Sequence, residues 1–136
     1  MEKLKFLCTA VGTVTTYLLG GFDDVLIFLA LVMCLDYITG VLKGYYNKEV
    51  SSRTGYKGII KKSLIIVVLI IAVQFDRTVG LGEPIFRTSV CWFFIANETI
   101  SIFENCGAMG LKIPKKLRVA FEQIKAKDEE GEEVCK

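Results

Sequence analysis

Long apolar runs broken by short charged intervals set the pattern of this chain. The first run spans about Phe6 to Phe22, after Lys3 and Lys5 and before Asp23-Asp24. The second, Val25 to Leu42, is interrupted only by Asp36. The third is densest from Ser63 to Phe75 and reaches membrane length only if the helix continues past Asp76 and Arg77 towards Gly82. Glu83-Pro84 then marks a turn, because proline disfavours helix at the residue before it. The fourth run, Ile85 to about Phe103, is the least apolar and carries Arg87, Asn97 and Glu98. At about 1.5 Å per residue such runs come close to the roughly 30 Å of a bilayer's hydrocarbon core. The pattern predicts an all-α integral membrane protein with about four transmembrane helices, over 6–22, 25–42, 63–82 and 85–103. Beyond Pro114, Leu117, Ala120, Phe121 and Ile124 recur at i, i+3, i+4 and i+7. That spacing predicts a cytoplasmic amphipathic helix over about 115–127, with Pro114 in its first turn and Lys115, Lys116 and Arg118 around the stripe. Residues 128–136 open on DEEGEE, which lacks apolar content and reads as a disordered acidic tail.

Composition agrees. Apolar residues make up 52% of 136, and the 12 glycines raise this to about 61%, against roughly 45–50% for a soluble domain. A water-soluble sphere this small has too little interior to hide so much apolar surface. That argues against a soluble enzyme, a disordered chain and a nucleic-acid binder. There is no histidine, so a Ser-His-Asp triad, a Cys-His pair or a His-ligated zinc cannot form within one chain. The five cysteines (Cys8, Cys34, Cys91, Cys106, Cys135) show no C-x-x-C spacing, and three of them sit in or beside apolar runs, where Cys acts as a small hydrophobe. No metal, cofactor or catalytic residue is expected. A basic start and a short apolar run also suit a secretory signal peptide, but no A-x-A site follows and another apolar run begins at once.

The net charge of +2 says less than its placement. The segment Lys43 to Lys62 carries six Lys and Arg, and Lys112, Lys115, Lys116 and Arg118 follow the fourth run. The interval Asp23-Asp24 has no positive charge. The positive-inside rule then places both termini and the central segment in the cytoplasm, which requires an even number of spans. Three spans remain the alternative, if the first run is interfacial or the third and fourth form a re-entrant pair.

The polar residues inside the apolar runs are the candidates for function. A carboxylate at the depth of Asp36 must face protein, water or a counter-charge. Gly40-x-x-x-Gly44 on the same helix allows close backbone approach, and Lys43 lies two turns from Asp36. In the fourth run Asn97, Ser101 and Asn105 form one polar stripe beside Glu98 and Glu104. Such a helix fits an assembly in which the stripe faces other helices or water; the alternative is an amphipathic surface helix. In the segment between the second and third runs, Ser52, Gly55, Gly58, Lys61 and Lys62 suit a tight loop held at anionic head groups. Its G-x-x-G and K-K do not make a P-loop.

Two blocks resemble the toxin-secretion/phage-lysis holin family, phage holin family 4. The first is Asp36-Tyr-Ile-Thr-Gly40-Val-Leu-Lys43-Gly44 followed by Ser51-Ser52 and Gly55-x-x-Gly58-Ile-x-Lys61-Lys62. The second is Asn97-Glu98-Thr-Ile-Ser101-Ile-x-Glu104-Asn105 followed by Gly110-x-x-Ile113-Pro114-x-x-Leu117, with Asp76 in register between them. Phe103 departs from the small aliphatic residue often found there. The resemblance implies one holin membrane domain over 1–127, in the cytoplasmic membrane of a bacterial host. It implies a non-enzymatic protein that assembles in many copies into lesions, dissipates the membrane potential and lets an endolysin or toxin through. The bilayer and further copies are then its partners, with no nucleic acid. Read from the residues alone, a small ion channel or proton-coupled transporter using Asp36, Asp76 and Glu98, or a non-conducting scaffold subunit, stands as the alternative.

Overall fold

Four helices account for most of the chain: α1 (Glu2–Leu19), α2 (Asp24–Tyr46), α3 (Ser52–Val79) and α4 (Ile85–Ala108). The structure, a computed structural model, describes residues 1–49, 52–80, 82–120 and 122–123. No strand occurs among them. The helix ends follow from local chemistry. Gly20 adopts a left-handed conformation (φ 76°) after the last turn of α1, a geometry that favours glycine. The Asp23 carboxylate caps α2 by accepting from Leu26 N–H at 3.0 Å. Gly80 (φ 66°) follows α3. The first N–H groups of α4 have no capping side chain of their own. Asp76 reaches across from α3 and accepts from Phe86 N (2.9 Å) and Arg87 N (2.7 Å).

The helices differ in three places from the runs read off the sequence. α1 stops at Leu19, short of Phe22, because the Gly20-Gly21 pair leaves the helical conformation. α4 continues to Ala108. The largest correction concerns the segment expected as a loop. Ser52, Gly55, Gly58, Lys61 and Lys62 lie on α3, which starts about 11 residues before the expected 63. Helix is tolerated through the two glycines because they face α2. Carbons built at Gly55 and Gly58 would sit 3.7 and 3.8 Å from the ring system of Tyr37, ordinary contact distance. The remaining break is short, and Asn47 N–H and Glu49 N–H close the end of α2 onto Lys43 and Gly44 carbonyls.

α2 and the Gly55–Val79 part of α3 are long and apolar enough to cross a membrane. At 23 and 25 residues they reach about 35 and 38 Å. Yet α4, the least apolar, is the helix the others pack on. α4 lies against both α2 and α3, which touch each other little, and α1 runs along α3. The buried residues of α4 are Arg87, Cys91, Ile95, Ala96, Glu98, Thr99 and Ile100, whereas α1 buries none. Leu26, Leu29, Val32, Ile65, Leu69, Cys91 and Ile95 form the apolar core. Large apolar side chains such as Ile27, Leu31, Ile38, Leu64, Val67 and Ile71 point outward. The chain is thus apolar both inside and out, as suits a helix bundle surrounded by hydrocarbon. Beyond α4, residues 115–120 and 122–123 are helical, and Arg118 pairs with Glu122 at 2.8 Å. The rest of the expected 115–127 helix, the tail 128–136 and Cys135 lie outside the described residues.

A clamp that the sequence reading did not anticipate closes one end of the bundle. Arg87, 2% exposed, donates to both oxygens of Asp23 (2.7 and 2.9 Å) and to the carbonyls of Leu19 (2.7 Å) and Gly21 (3.0 Å). A planar guanidinium is suited to this fork, which ties the α1–α2 turn to the start of α4. Arg77 adds a bond to the Tyr17 carbonyl and lies 4.0 Å over that ring. The Arg87 guanidinium holds the Asp23 carboxyl down at about 2, from an ordinary 3.8. Because the folded value is the lower one, the pair's contribution is complete above about pH 4 and is lost as pH falls towards 2. Asp23→Asn is therefore expected to lower the unfolding midpoint in detergent by a few degrees at neutral pH. The gap to wild type should stay constant from about pH 8 to 5 and close between about pH 4 and 2. A gap that persists unchanged at pH 2 would contradict the assignment.

Candidate functional site

The opposite half of the bundle holds a second charge cluster, built by one face from each of three helices. On α2, Asp36, Thr39, Gly40 and Lys43 recur at i, i+3, i+4 and i+7. On α3, Gly55, Gly58 and Lys62 recur at i, i+3 and i+7, and on α4 Glu98, Ser101 and Asn105 do the same. Lys62 Nζ lies 2.7 Å from Asp36 Oδ2 and 2.6 Å from Glu98 Oε2. One ammonium thereby joins all three helices. Glu98 is fully enclosed, and the Lys62 and Asp36 side chains are 15% and 13% exposed. The second Glu98 oxygen, Oε1, is 3.1 Å from Lys61 Nζ, an ion-pair contact without hydrogen-bond alignment. Lys61 reaches it from a half-exposed position. Two carboxylates and two ammoniums make the cluster neutral.

Polar neighbours extend it. Asn105 Nδ2 donates to Thr39 Oγ1 (3.3 Å) and Asp36 Oδ1 (3.4 Å), both long. Gly40 leaves room for that amide: a carbon built there would stand 3.7 Å from Asn105 Nδ2. Beside the cluster, α2, α3 and α4 border a cleft of about 640 Å³, lined among others by Gly40, Gly44, Glu49, Gly55, Gly58 and Ser101. The cluster and the Arg87 clamp are separated by 13 residues along α2 and 11 along α4, about 20 and 17 Å. The apolar core fills that interval.

Several expected site residues therefore converge and others do not. Asp36, Glu98 and Asn105 meet, Gly40, Gly44 and Ser101 line the cleft, and Gly55 and Gly58 carry Tyr37. Lys61 and Lys62, expected at head groups, point into the cluster, because Asp36 and Glu98 would otherwise be buried without a cation. Lys43, two turns from Asp36, is not its partner. Asp76 belongs to the other end, as the cap of α4. Asn97 is half-buried and Glu104 exposed, so the enclosed side of α4 centres on Glu98 rather than on the Asn97 stripe. Ser52 starts α3. Pro114, Lys115, Lys116 and Arg118 sit at the exposed C-terminal segment. Lys62, Arg87 and Asp23 were missed as partners. The available signal was the presence of opposite charges inside or beside apolar runs. Among the described residues no three His, Cys, Asp or Glu side chains gather as metal ligands.

A helical chain with two membrane-length helices and its buried charges paired internally defines a small membrane protein. Residues 13–126 match the model of the bacteriophage holin family, and the chain belongs to that family. That membership speaks for a non-enzymatic membrane protein. The chain is 46% identical over 127 residues to an uncharacterized 14.9 kDa protein in the nagH 3′ region of Clostridium perfringens, covering 93% of this chain and 96% of the relative. It is 39% identical over 130 residues to an uncharacterized protein of Listeria monocytogenes (96% of this chain, 92% of the relative). It is also 40% identical over 80 residues to a probable holin of Bacillus phage phi105, covering 59% of this chain and 58% of that protein. No solved structure matches the chain.

Removing Lys62 strips both carboxylates of their shared cation. Lys62→Met is expected to cost about 3–5 kcal/mol in chemical unfolding in micelles. Adding Asp36→Asn and Glu98→Gln to the same chain should recover most of that loss, since no carboxylate is then enclosed without a cation and the half-exposed Lys61 is free to turn outward. A triple variant as unstable as Lys62→Met would show that the ion pairs do not hold the three helices together.

Proposed function

We propose that the chain is a holin that crosses the bacterial cytoplasmic membrane four times with both termini in the cytoplasm. In this reading it oligomerises into lesions that dissipate the membrane potential and admit an endolysin or a toxin to the far side without binding it. The basic segment that follows Pro114, with Lys115, Lys116 and Arg118, lies on the anionic inner leaflet in this reading. The single observation that carries the proposal is the neutral cluster of Asp36, Lys61, Lys62 and Glu98, held between helices whose outer faces are apolar. Family membership and the likeness to a probable phage holin support it.

The physics suits a protein that must be harmless first and permeable later. While each chain satisfies its own buried charges, the outer faces of α2 and α3 offer hydrocarbon mainly apolar side chains, and little draws water in. In a crowded assembly the same polar faces of α2, α3 and α4 can exchange partners between chains and line water. α1 buries no residue, so few contacts oppose its displacement along α3 by a neighbour.

Induced expression in a bacterium with and without a cytoplasmic muralytic enzyme tests the reading. A sudden loss of membrane potential is expected in both, with lysis only where the enzyme is present. Graded, ion-selective currents without release of folded protein would instead indicate a channel or transporter. Replacing Glu98 or Asp36 by leucine should shift the onset of killing while membrane insertion is retained. Unchanged onset in both variants would contradict a role for the cluster.

A further inference from the structure

The cleft beside the charge cluster has features that the proposed lesion does not use. α2 and α3 both rest on α4 and touch each other little, and the cleft lies between them. Glycines on both walls keep the cleft open. Its depth can be placed against a bilayer. Counting from Asp23, the polar cap at one end of α2, Lys43 lies 20 residues on, about 30 Å away, the full thickness of a hydrocarbon core. Lys43 and Asn47 thus stand at head-group level. Val41 and Ile59 form the wall below, and Ser101 and Asn105 are at the floor. Lys62 and Asp36 on the same floor satisfy each other. The Lys43 side chain is half-buried against the cleft, and its ammonium has no partner among the described residues; the exposed Glu49 lines the same mouth. An ammonium and a carboxylate at the mouth, hydrogen-bonding groups at the floor and apolar flanks describe a receptor for an amphipathic molecule with a phosphate for the ammonium and hydroxyls for the other polar groups.

We propose that this cleft binds one anionic phospholipid with a hydroxyl-bearing head group, of the phosphatidylglycerol type. The phosphate sits at Lys43 and Asn47, where an ammonium and an amide supply charge-assisted bonds. The head-group hydroxyls turn towards Ser101 and Asn105. The acyl chains leave over Val41 and Ile59 onto the apolar outer faces of α2 and α3. The site rests on the membrane topology proposed above and is independent of lesion formation.

The test uses the full chain reconstituted in phosphatidylcholine nanodiscs, titrated with phosphatidylglycerol and followed by thermal stability and native mass spectrometry. One retained phosphatidylglycerol per chain and a saturable rise in stability are expected, with no response to added phosphatidylcholine or to inorganic phosphate. Lys43→Met should weaken apparent affinity about fivefold, Lys43→Arg should restore it, and Lys57→Met, on α3 outside the cleft, should leave it unchanged. Equal weakening by Lys57→Met would reduce the effect to general surface charge and overturn the site. Retention unaffected by Lys43→Met would overturn it too, and so would an equal response to inorganic phosphate. A chain that inserts in phosphatidylcholine but ignores phosphatidylglycerol contradicts the lipid site alone. A chain that does not insert contradicts the membrane topology and the site with it.

Discussion

One ammonium group holds the middle of this molecule together. Lys62 Nζ stands within 2.7 Å of carboxylates from two other helices, so α2, α3 and α4 share a single electrostatic knot. In hydrocarbon there is no hydrophobic force between helices, and packing and polar contacts must do the joining. The knot also explains why α4 lies centrally although it is the least apolar run. Glu98 could not face lipid, whereas the outer faces of α2 and α3 can. Removing any one member leaves an uncompensated charge, which is far more damaging than removing the whole set.

The rest of the architecture is a consequence of having two such polar layers with a dry interval between them. The Arg87–Asp23 fork secures the turn between α1 and α2, and Asp76 secures the start of α4. Between the layers, about 17–20 Å of Leu, Ile, Val and Cys side chains exclude water within each chain. A protein that must remain sealed until it is crowded needs that interval intact. It also needs polar groups close enough to either side of the interval to be recruited later. In the proposed account, the sealed state and the open state differ in which chain supplies the partner for each charge.

Much of this was legible in the sequence. The apolar runs marked all four helices, and Asp23-Asp24 and Glu83-Pro84 marked breaks between them. Asp36, Glu98, Asn105 and the Gly40 face were identifiable because polar groups in apolar runs demand partners. What periodicity could not give was the partner. Lys62 looked like a loop cation because Gly55 and Gly58 are helix-weakening, and only the seat of Tyr37 against them makes helix acceptable there. Arg87 looked like a blemish in a marginal span, because its partners Asp23, Leu19 and Gly21 come from elements more than 60 residues away. Long-range pairing of this kind is a property of the packed helices, and no local window contains it.

The central claim, that the Lys62 knot governs when the membrane fails, is met most directly by a charge exchange. Time courses of membrane potential after induction in living cells would compare wild type, Lys62→Glu, Glu98→Lys and a chain in which all four charges are reversed (Asp36→Lys, Lys61→Glu, Lys62→Glu, Glu98→Lys). Each single reversal places like charges together and should displace the onset of depolarisation from the wild-type time. The fourfold reversal restores an opposite charge at every contact of the cluster and should bring the onset back towards wild type. Single reversals with wild-type onset, or a fourfold reversal no closer to wild type than the single ones, would contradict the account.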